Sequence, residues 1–405
     1  MQNRFAVVGG GITGLTAAIA LTERGHRVTV HEQSQHLGGR AATTQERGYA
    51  LNLGPHALYR DGAARRQFLR WGIAVPGHSP RLKSRAHLVM NAELHDFPLS
   101  TMRLFTTGAL GLRDKVAAAG TLAAFRSADA AKLAGTRLGD WLDRRRLPRR
   151  ARLFIDAFVR LLTFAPHPEV LDAGATVRQV KLGLAGGVMY IDRGWDTLVK
   201  GLEAKAAAVG VEIVTGSVVD RVPGDVDGVV LAVTPEHVER ITGWKAPAMR
   251  AAKMACLDLG LREMRPEWAR FGLGMDCPMY HSMHSEFAAL APSGGAMVHI
   301  GKYIAADEAA SREQLEAFAD LMLPEWREHA EVARYLPNMT VVHALPTSDG
   351  RPAVDAVGID GVAIAGEWVG DEGMLTDAAV ASALRAAEVV SQRAGIAMRK
   401  AVRTA

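Results

Sequence analysis

The chain has 405 residues, of which 48% are hydrophobic and 22% charged, with a net charge of +5. This length exceeds one typical core, so two domains are expected, and the balance is that of an ordinary globular protein. Two cysteines, Cys256 and Cys277, are too few for a disulfide scaffold and too sparse for a metal site, so no metal is expected and free thiols in a cytoplasmic protein are the simplest reading.

The chain opens on a short apolar run, Phe5 to Val8, which reads as a buried parallel strand and leaves no room for a signal peptide. Gly9, Gly11 and Gly14 follow it in G-x-G-x-x-G order, with Ile12 and Thr13 between them, and Leu15 to Thr22 then reads as a helix. One glycine makes the tight turn, the second lets a pyrophosphate approach the backbone, and the third lets helix and strand pack closely. N–H groups at the helix start then hold the phosphate charge. Arg27 to His31 reads as a second strand ending at Glu32, where an acid accepts the hydrogen bonds of an adenosine ribose and repels a 2′-phosphate.

Leu37-Gly38-Gly39-Arg40-Ala41-Ala42-Thr43 resembles the second motif of the flavoprotein superfamily that holds amine oxidases, protoporphyrinogen oxidases and phytoene desaturases. The resemblance implies that Gly38, Gly39 and Arg40 wrap the pyrophosphate of FAD, with a guanidinium fork matched to phosphate oxygens. Gly48 to His56 resembles the stretch that runs beneath the isoalloxazine, so Gly54 and Pro55 are expected to approach a flat ring closely. His56 either sits near that ring or caps the following helix.

From Asp61 to Leu182 helices dominate, after a hairpin over His87 to Phe97. Leu104 to Phe125 comes nearest to a membrane span, but Arg113, Asp114 and Lys115 interrupt it, so no integral membrane segment is expected. Arg144 to Arg150 is the densest basic run and reads as a solvated helix end and loop, with an acidic partner or membrane headgroups as the alternative. No basic stripe interleaved with aromatics suggests nucleic acid. Phe154, Phe158 and Phe164 belong to the core of this helical cap or line its pocket.

Gly186 to Trp195 resembles the superfamily's return to the FAD domain, before a helix over Thr197 to Val209. Gly210 to Val214, Ser217 to Val222 and Gly228 to Val233 have strand length, and Val218 matches a position whose main chain contacts adenine in the family. From Thr234 to Val342 antiparallel strands are expected over Ala252–Arg262, Gly272–Met275, Met279–His284 and Ala296–Lys302, with a helix near Arg312 to Leu323. Tyr280 and His281 are candidates for a pocket floor. Lys302 is a candidate by resemblance, since some family members use a lysine, through a water, near flavin N5; a strand-end surface lysine is the other reading.

Gly361 to Trp368 reads as a buried strand ending in Gly366-Glu367, and the chain then turns through Gly373 into a helix. This resembles the superfamily's C-terminal FAD motif, in which the acid binds the ribityl chain. N–H groups from about Met374 and Leu375 are then expected to face the N1–C2=O edge, which becomes negative on reduction. No cysteine lies near, so the FAD is expected to be noncovalent. Amine oxidases of the superfamily often place an aromatic residue where Gly373 stands, which favours a C–C dehydrogenase or desaturase over an amine cage.

The expected fold is therefore α/β: a Rossmann-type FAD-binding domain in three segments, 1–60, 185–235 and 345–405, with an α+β substrate domain of mixed or antiparallel sheet and helices inserted over 61–184 and 236–344. The expected activity is an FAD-dependent oxidoreductase removing hydride from a small, largely apolar substrate, with oxygen, quinone or another carrier as acceptor. An amine oxidase proper, a redox-neutral flavin isomerase and an escort-type binding protein share this architecture and remain open, as does the oligomeric state.

Overall fold

The structure is a computed structural model and describes residues 2–80, 85–98, 101–305 and 308–404. Its first layer is a five-stranded parallel sheet in the spatial order Glu212–Val214, Arg27–His31, Arg4–Val8, Gly228–Leu231, Val362–Ile364. The two strands from the first 31 residues are central, and the chain comes back twice, about 200 and then 330 residues later, to extend the sheet on either side. Phe5 to Val8 and Gly228 to Leu231 are buried on both faces, which is why they read as unbroken apolar runs.

Helix Ile12–Thr22 is almost wholly buried and built of small residues, so it lies close against the sheet. The approach is tightest at Gly14, where a Cβ would stand 1.8 Å from the Gly9 carbonyl oxygen. Helices Asp196–Val209 and Leu375–Thr404 complete this core. The second layer is a seven-stranded sheet in the order Ala330–Val342, Ala252–Leu261, Ala296–Ile304, Met279–Met283, Phe271–Gly274, Ala86–Met90, Glu93–Asp96. Every pair is antiparallel except Phe271–Gly274 with Ala86–Met90.

Side chains alternate between the faces of this sheet. Leu257, Leu259, Val298 and Ile300 face helix Arg312–Met322 through Leu315, Phe318 and Met322. Met254, Tyr280 and Tyr303 face the other way, into one core with the cap helices Leu112–Ser127, Leu138–Asp143, Arg149–Thr163 and Ala173–Ala185. No helix among the described residues is long and apolar enough to cross a membrane.

Three features differ from the sequence expectation. Ser217 to Val222 is not a strand: it follows the edge strand Glu212–Val214, where no neighbour is left to pair with, and Val218 is exposed. Ala330–Val342 is a thirteen-residue strand that the sequence hides because Pro337 interrupts it. An edge position with bulges tolerates that missing donor, and the pairing with Ala252–Leu261 is indeed irregular there. The last helix continues beyond Arg393.

Candidate functional site

A cavity of about 570 Å³ runs along the carboxyl ends of the parallel strands. Gly9, Glu32, Ala232 and Ala365, the residues that follow four of the five strands, all line it. Its opposite wall comes from the second sheet and the cap, through Met254, Met339, Val341 and Phe164. The cleft beyond the strand ends of an open parallel sheet is where such folds take their ligands.

At one end the wall is mostly backbone. Gly9 has φ +104°, and a Cβ there would meet the Ala232 carbonyl oxygen at 2.5 Å, so only glycine lets the two strand ends close up. Gly11 is the N-cap of the first helix, has no side-chain cap, and a Cβ on it would meet nothing nearer than the Gly38 carbonyl at 3.7 Å. That Cβ would stand in the cavity, over the uncapped N–H groups of the helix start. The Gly38 N–H donates to the Gly10 carbonyl at 3.0 Å, which ties the two glycine turns into one cradle. The Glu32 carboxylate is fixed beside it, accepting from the Gly10 N–H at 2.6 Å and the Ser34 N–H at 2.8 Å. Each of its oxygens keeps a further lone pair for a sugar hydroxyl.

In the middle of the cavity Arg40 joins the distant ends of the chain. Its guanidinium donates to Glu367 at 2.5 Å and to the Val341 carbonyl at 2.8 Å. His343 lies against the other Glu367 oxygen at 2.6 Å. Burial alone would raise the Glu367 pKa, but the Arg40 charge and the hydrogen bonds from His343 and Arg40 outweigh it and hold the carboxyl well below the usual range. Arg351 clamps the loop behind, donating to the carbonyls of Glu367, Gly370 and Gly373 at 2.8, 2.6 and 3.0 Å. It meets only carbonyls there, and burial pushes its pKa down to about 10.

The far end is apolar. His56 packs edge-on to Trp195, with ring centroids 5.0 Å apart, and its Nδ1–H donates to the Gly54 carbonyl at 3.1 Å. Burial pushes its pKa down to about 4, so the ring is neutral near pH 7. Leu375, at the start of the last helix, is held at φ +55°, a rare conformation for a branched side chain, and lines the cavity with Thr376.

Of the residues singled out in the sequence, Gly9, Gly11, Ile12, Thr13, Glu32, Gly38, Gly39, Arg40, Pro55, His56, Gly366, Glu367 and Leu375 meet at this one cavity. Gly14 and Gly54 stand behind the wall, Gly54 with φ +72° against Met339 and Cys256. Gly373 is a turn residue with φ +65° whose carbonyl Arg351 holds, and buried Met374 lines a small void beside Arg351 and Leu345. Val218 is exposed outside the wall, in the loop whose Ser217 N–H donates to the Glu32 carbonyl.

Three candidates for catalysis are not in the wall. The strand alternation turns Lys302 toward helix Arg312–Met322, where its Nζ donates to Gln314 at 3.2 Å. His281 likewise turns away, bonding the Ala269 carbonyl at 2.9 Å. Tyr280 faces the cap side but is buried in the core, its hydroxyl 3.3 Å from His284 Nε2.

The sequence reading passed over a polar cluster on the cap-facing side of the second sheet. Asp258 is wholly buried and accepts from His299 Nδ1 at 2.6 Å, from the Cys256 thiol at 3.1 Å and from the Arg334 Nε at 3.1 Å. Burial opposes its ionisation, but His299 and Arg334 outweigh that and lower its pKa. Cys256, Asp258 and His299 lie close enough to share a metal ion. Arg334 already neutralises Asp258 through its second oxygen, so the cluster closes as an ion pair without one. The signal was available: a lone aspartate inside Met254-Ala255-Cys256-Leu257-Asp258-Leu259 marks a buried, paired charge.

The comparisons with known proteins agree with this geometry. The NAD(P)-binding Rossmann-like domain family matches residues 7–70. A 4,4'-diapophytoene desaturase from Staphylococcus haemolyticus (strain JCSC1435) is 44% identical over 51 residues, which is 13% of this chain and only 10% of the relative's length. An oxidoreductase from Methanosarcina mazei superposes with a TM-score of 0.75 at 16% identity, over 95% of this chain and 100% of that one. The fold is that of this solved oxidoreductase, and a putative protoporphyrinogen oxidase from Exiguobacterium sp. 255-15 shares it with a TM-score of 0.71 at 16% identity over 96% and 99% of the two chains. Putrescine oxidase with putrescine bound also shares it, with a TM-score of 0.69 at 16% identity over 97% and 99% of the two chains. FAD fits the residues of this cavity: the Gly11 cradle that a Cβ would fill, the uncapped helix start beside it and the fixed Glu32 carboxylate suit a pyrophosphate and its ribose.

Proposed function

We propose that the protein is an FAD-dependent dehydrogenase or desaturase that removes hydride from a C–H bond of a small, largely apolar substrate. One observation carries the reading. A single cavity is lined both by the glycine turns with the fixed Glu32 carboxylate, suited to a pyrophosphate and a ribose, and by the apolar side chains of Phe164, Trp195, Met254, Met339 and Leu375. FAD, when bound, supplies the hydride acceptor.

The residues of this chain bind, orient and exclude water. Gly9, Gly11, Ile12, Thr13, Gly38 and Gly39 would hold the pyrophosphate by backbone donors, with Arg40 on its second side and Glu32 on the ribose. Glu367, kept ionised by Arg40 and His343, would accept from the ribityl hydroxyls. The N-terminus of the last helix, at Leu375 and Thr376, is an electropositive end at the chamber, suited to negative charge. His56, neutral and braced by Trp195 and Gly54, would position the substrate rather than attract an anion. Phe164, Met254 and Met339 would hold an apolar carbon against the ring in a water-poor chamber.

Gly373 leaves no aromatic side chain just before the last helix, and among the described residues Lys302 is turned away from the chamber. Both features favour oxidation of a C–C unit over that of an amine. The visible spectrum of the purified protein, followed by anaerobic titration with candidate alkenes, amines and NADPH, tests the reading. A yellow protein bleached by an alkene-forming substrate supports it. Bleaching by amines alone would make it an amine oxidase, and bleaching by NADPH alone a reductase. A colourless protein that cannot be reconstituted with FAD would overturn the catalytic reading.

A further inference from the structure

The last helix places one buried acid beside the chamber with one of its oxygens unused. Asp377 stands in the first turn of helix Leu375–Thr404, directly after Thr376 in the cavity wall, and is only 5% exposed. Its Oδ1 accepts from the Ala64 N–H at 2.8 Å, across 313 residues of chain, while its Oδ2 is buried without a partner. Gly62 makes the room. Its φ of −73° needs no glycine, but a Cβ there would stand 2.5 Å from both carboxylate oxygens.

The Ala64 bond gives helix Ala63–Arg70 the cap that Gly62 cannot supply. A serine or asparagine at position 62 would cap the same helix locally and bury no charge. A buried carboxylate oxygen without a partner is costly, and capping alone does not account for it. Arg66 faces Asp377 but donates to the Asp61 carbonyl instead of pairing with it. Burial pushes the Asp377 pKa up, and the Ala64 N–H and the Arg66 charge hold it back. Tyr59 also faces it and stays neutral, since burial lifts its phenol well above the usual range.

The other acids near this turn are paired or screened. Glu367 is neutralised by Arg40, and Asp371 and Glu372 are exposed to solvent just before the turn. Asp377 therefore sets a full buried negative charge on a helix end worth roughly half a positive one.

We propose that Asp377 sets the reduction potential of the bound flavin, holding it lower than the bare helix end would. The inference rests on the proposed function, which puts the flavin ring at Leu375 and Thr376. A hydride brings two electrons and one proton, so reduction leaves one added negative charge on the ring. The helix end favours that charge and Asp377 opposes it, so the reduced form is held less tightly and passes its electrons on more readily.

Dye-equilibrated reduction of the FAD-loaded, full-length protein tests this without any substrate, at about pH 8, above the carboxylate range. Asp377→Asn keeps an oxygen for the Ala64 N–H and removes the charge. Reduced over oxidised FAD should then be favoured roughly tenfold more than in the wild type, about 30 mV upward for a two-electron couple. Should that variant fold poorly, Asp377→Ser, smaller in the same place, should give the same upward shift. Glu372→Gln removes an equal charge from an exposed place in the same turn and should move the ratio less than about twofold. A shift in the Asp377 variants no larger than that of Glu372→Gln, or a downward one, would overturn the proposal and leave Asp377 a helix cap, seen only as a lower unfolding temperature. If the wild-type chain cannot be loaded with FAD, the proposed function fails and this inference with it; a loaded protein whose potential does not move sinks the inference alone.

Discussion

The two walls of the cavity are made in different ways. The wall proposed to hold the nucleotide is backbone: glycine turns, helix N–H groups and one strand-end acid, most of it within forty residues of sequence. The opposite wall is side chain, drawn from the second sheet and the cap, and on the same face of that sheet the wholly buried Asp258 and His299 pair with the partly exposed Arg334. Backbone recognition tolerates few shapes, because any Cβ intrudes on the cradle. A side-chain wall admits many substitutions, so it is the place where relatives of one fold can differ in substrate. The first wall should fail by losing cofactor and the second by losing stability or specificity.

The largest test of that contrast is Asp258→Ala. It removes the carboxylate from the partly exposed Arg334 and leaves His299 unpaired in the interior, and should cost about 3 kcal/mol or more in urea unfolding. A loss below ~1 kcal/mol would mean that the cluster does not stabilise the sheet.

Acid should separate the regions next. Burial pushes the pKa of fully buried His281 down to about 4, below the ~6.5 of an unfolded histidine. The unfolded chain therefore takes up the proton first as pH falls. The contribution is complete above about pH 6.5 and lost by pH 4, up to about 3 kcal/mol. Glu367 has the opposite chemistry and the same slope: its lowered carboxyl contributes above the ordinary carboxylate pKa near ~4.3 and is lost below it. The second sheet should weaken first and the Arg40–Glu367 joint afterwards. His281→Gln should make the fall of urea stability between pH 6.5 and 4 shallower, the remainder coming from buried His56 and His284, whose pKa values are also lowered, and an unchanged slope would remove His281 from the account.

Two glycines five ångströms or so of helix rise apart sharpen the comparison within the first wall. Gly14→Ala drives a methyl against the Gly9 carbonyl and should cost about 1–3 kcal/mol. Gly11→Val meets open cavity, at φ −79°, and should unfold within ~1 kcal/mol of wild type while purifying without yellow colour. Glu32→Ala should likewise weaken FAD retention roughly tenfold or more. Normal flavin content in Gly11→Val would move the phosphate cradle elsewhere. Smallest of all, Lys302→Met should change stability by no more than ~0.5 kcal/mol and leave flavin reoxidation in air as it was.

Periodicity and glycine spacing were enough to find most strands and helices, because those signals are local. The thirteen-residue edge strand was hidden because only a neighbour reveals which donors Pro337 can do without, and Ser217–Val222 looked like a strand because propensity says nothing of whether a partner strand exists.

By itself, the sequence determined which glycines, acids and arginine line the first wall of the cavity, from Gly9 to Arg40 and again at Gly366-Glu367, since close approach of backbone to backbone demands glycine at fixed spacing. Tertiary structure alone decided which side chains look into the chamber. Tyr280, His281 and Lys302 are near neighbours in the sheet, yet the alternation of two strands turns Tyr280 to the cap core and the other two to the helix behind. Phe164, Met254 and Met339 come from three distant stretches of chain, and each is an ordinary core residue until the fold brings them to one wall, with Trp195 reaching the same cavity from the first layer. A contact made across hundreds of residues leaves no periodic trace in any one segment, and so the chamber is legible only in three dimensions.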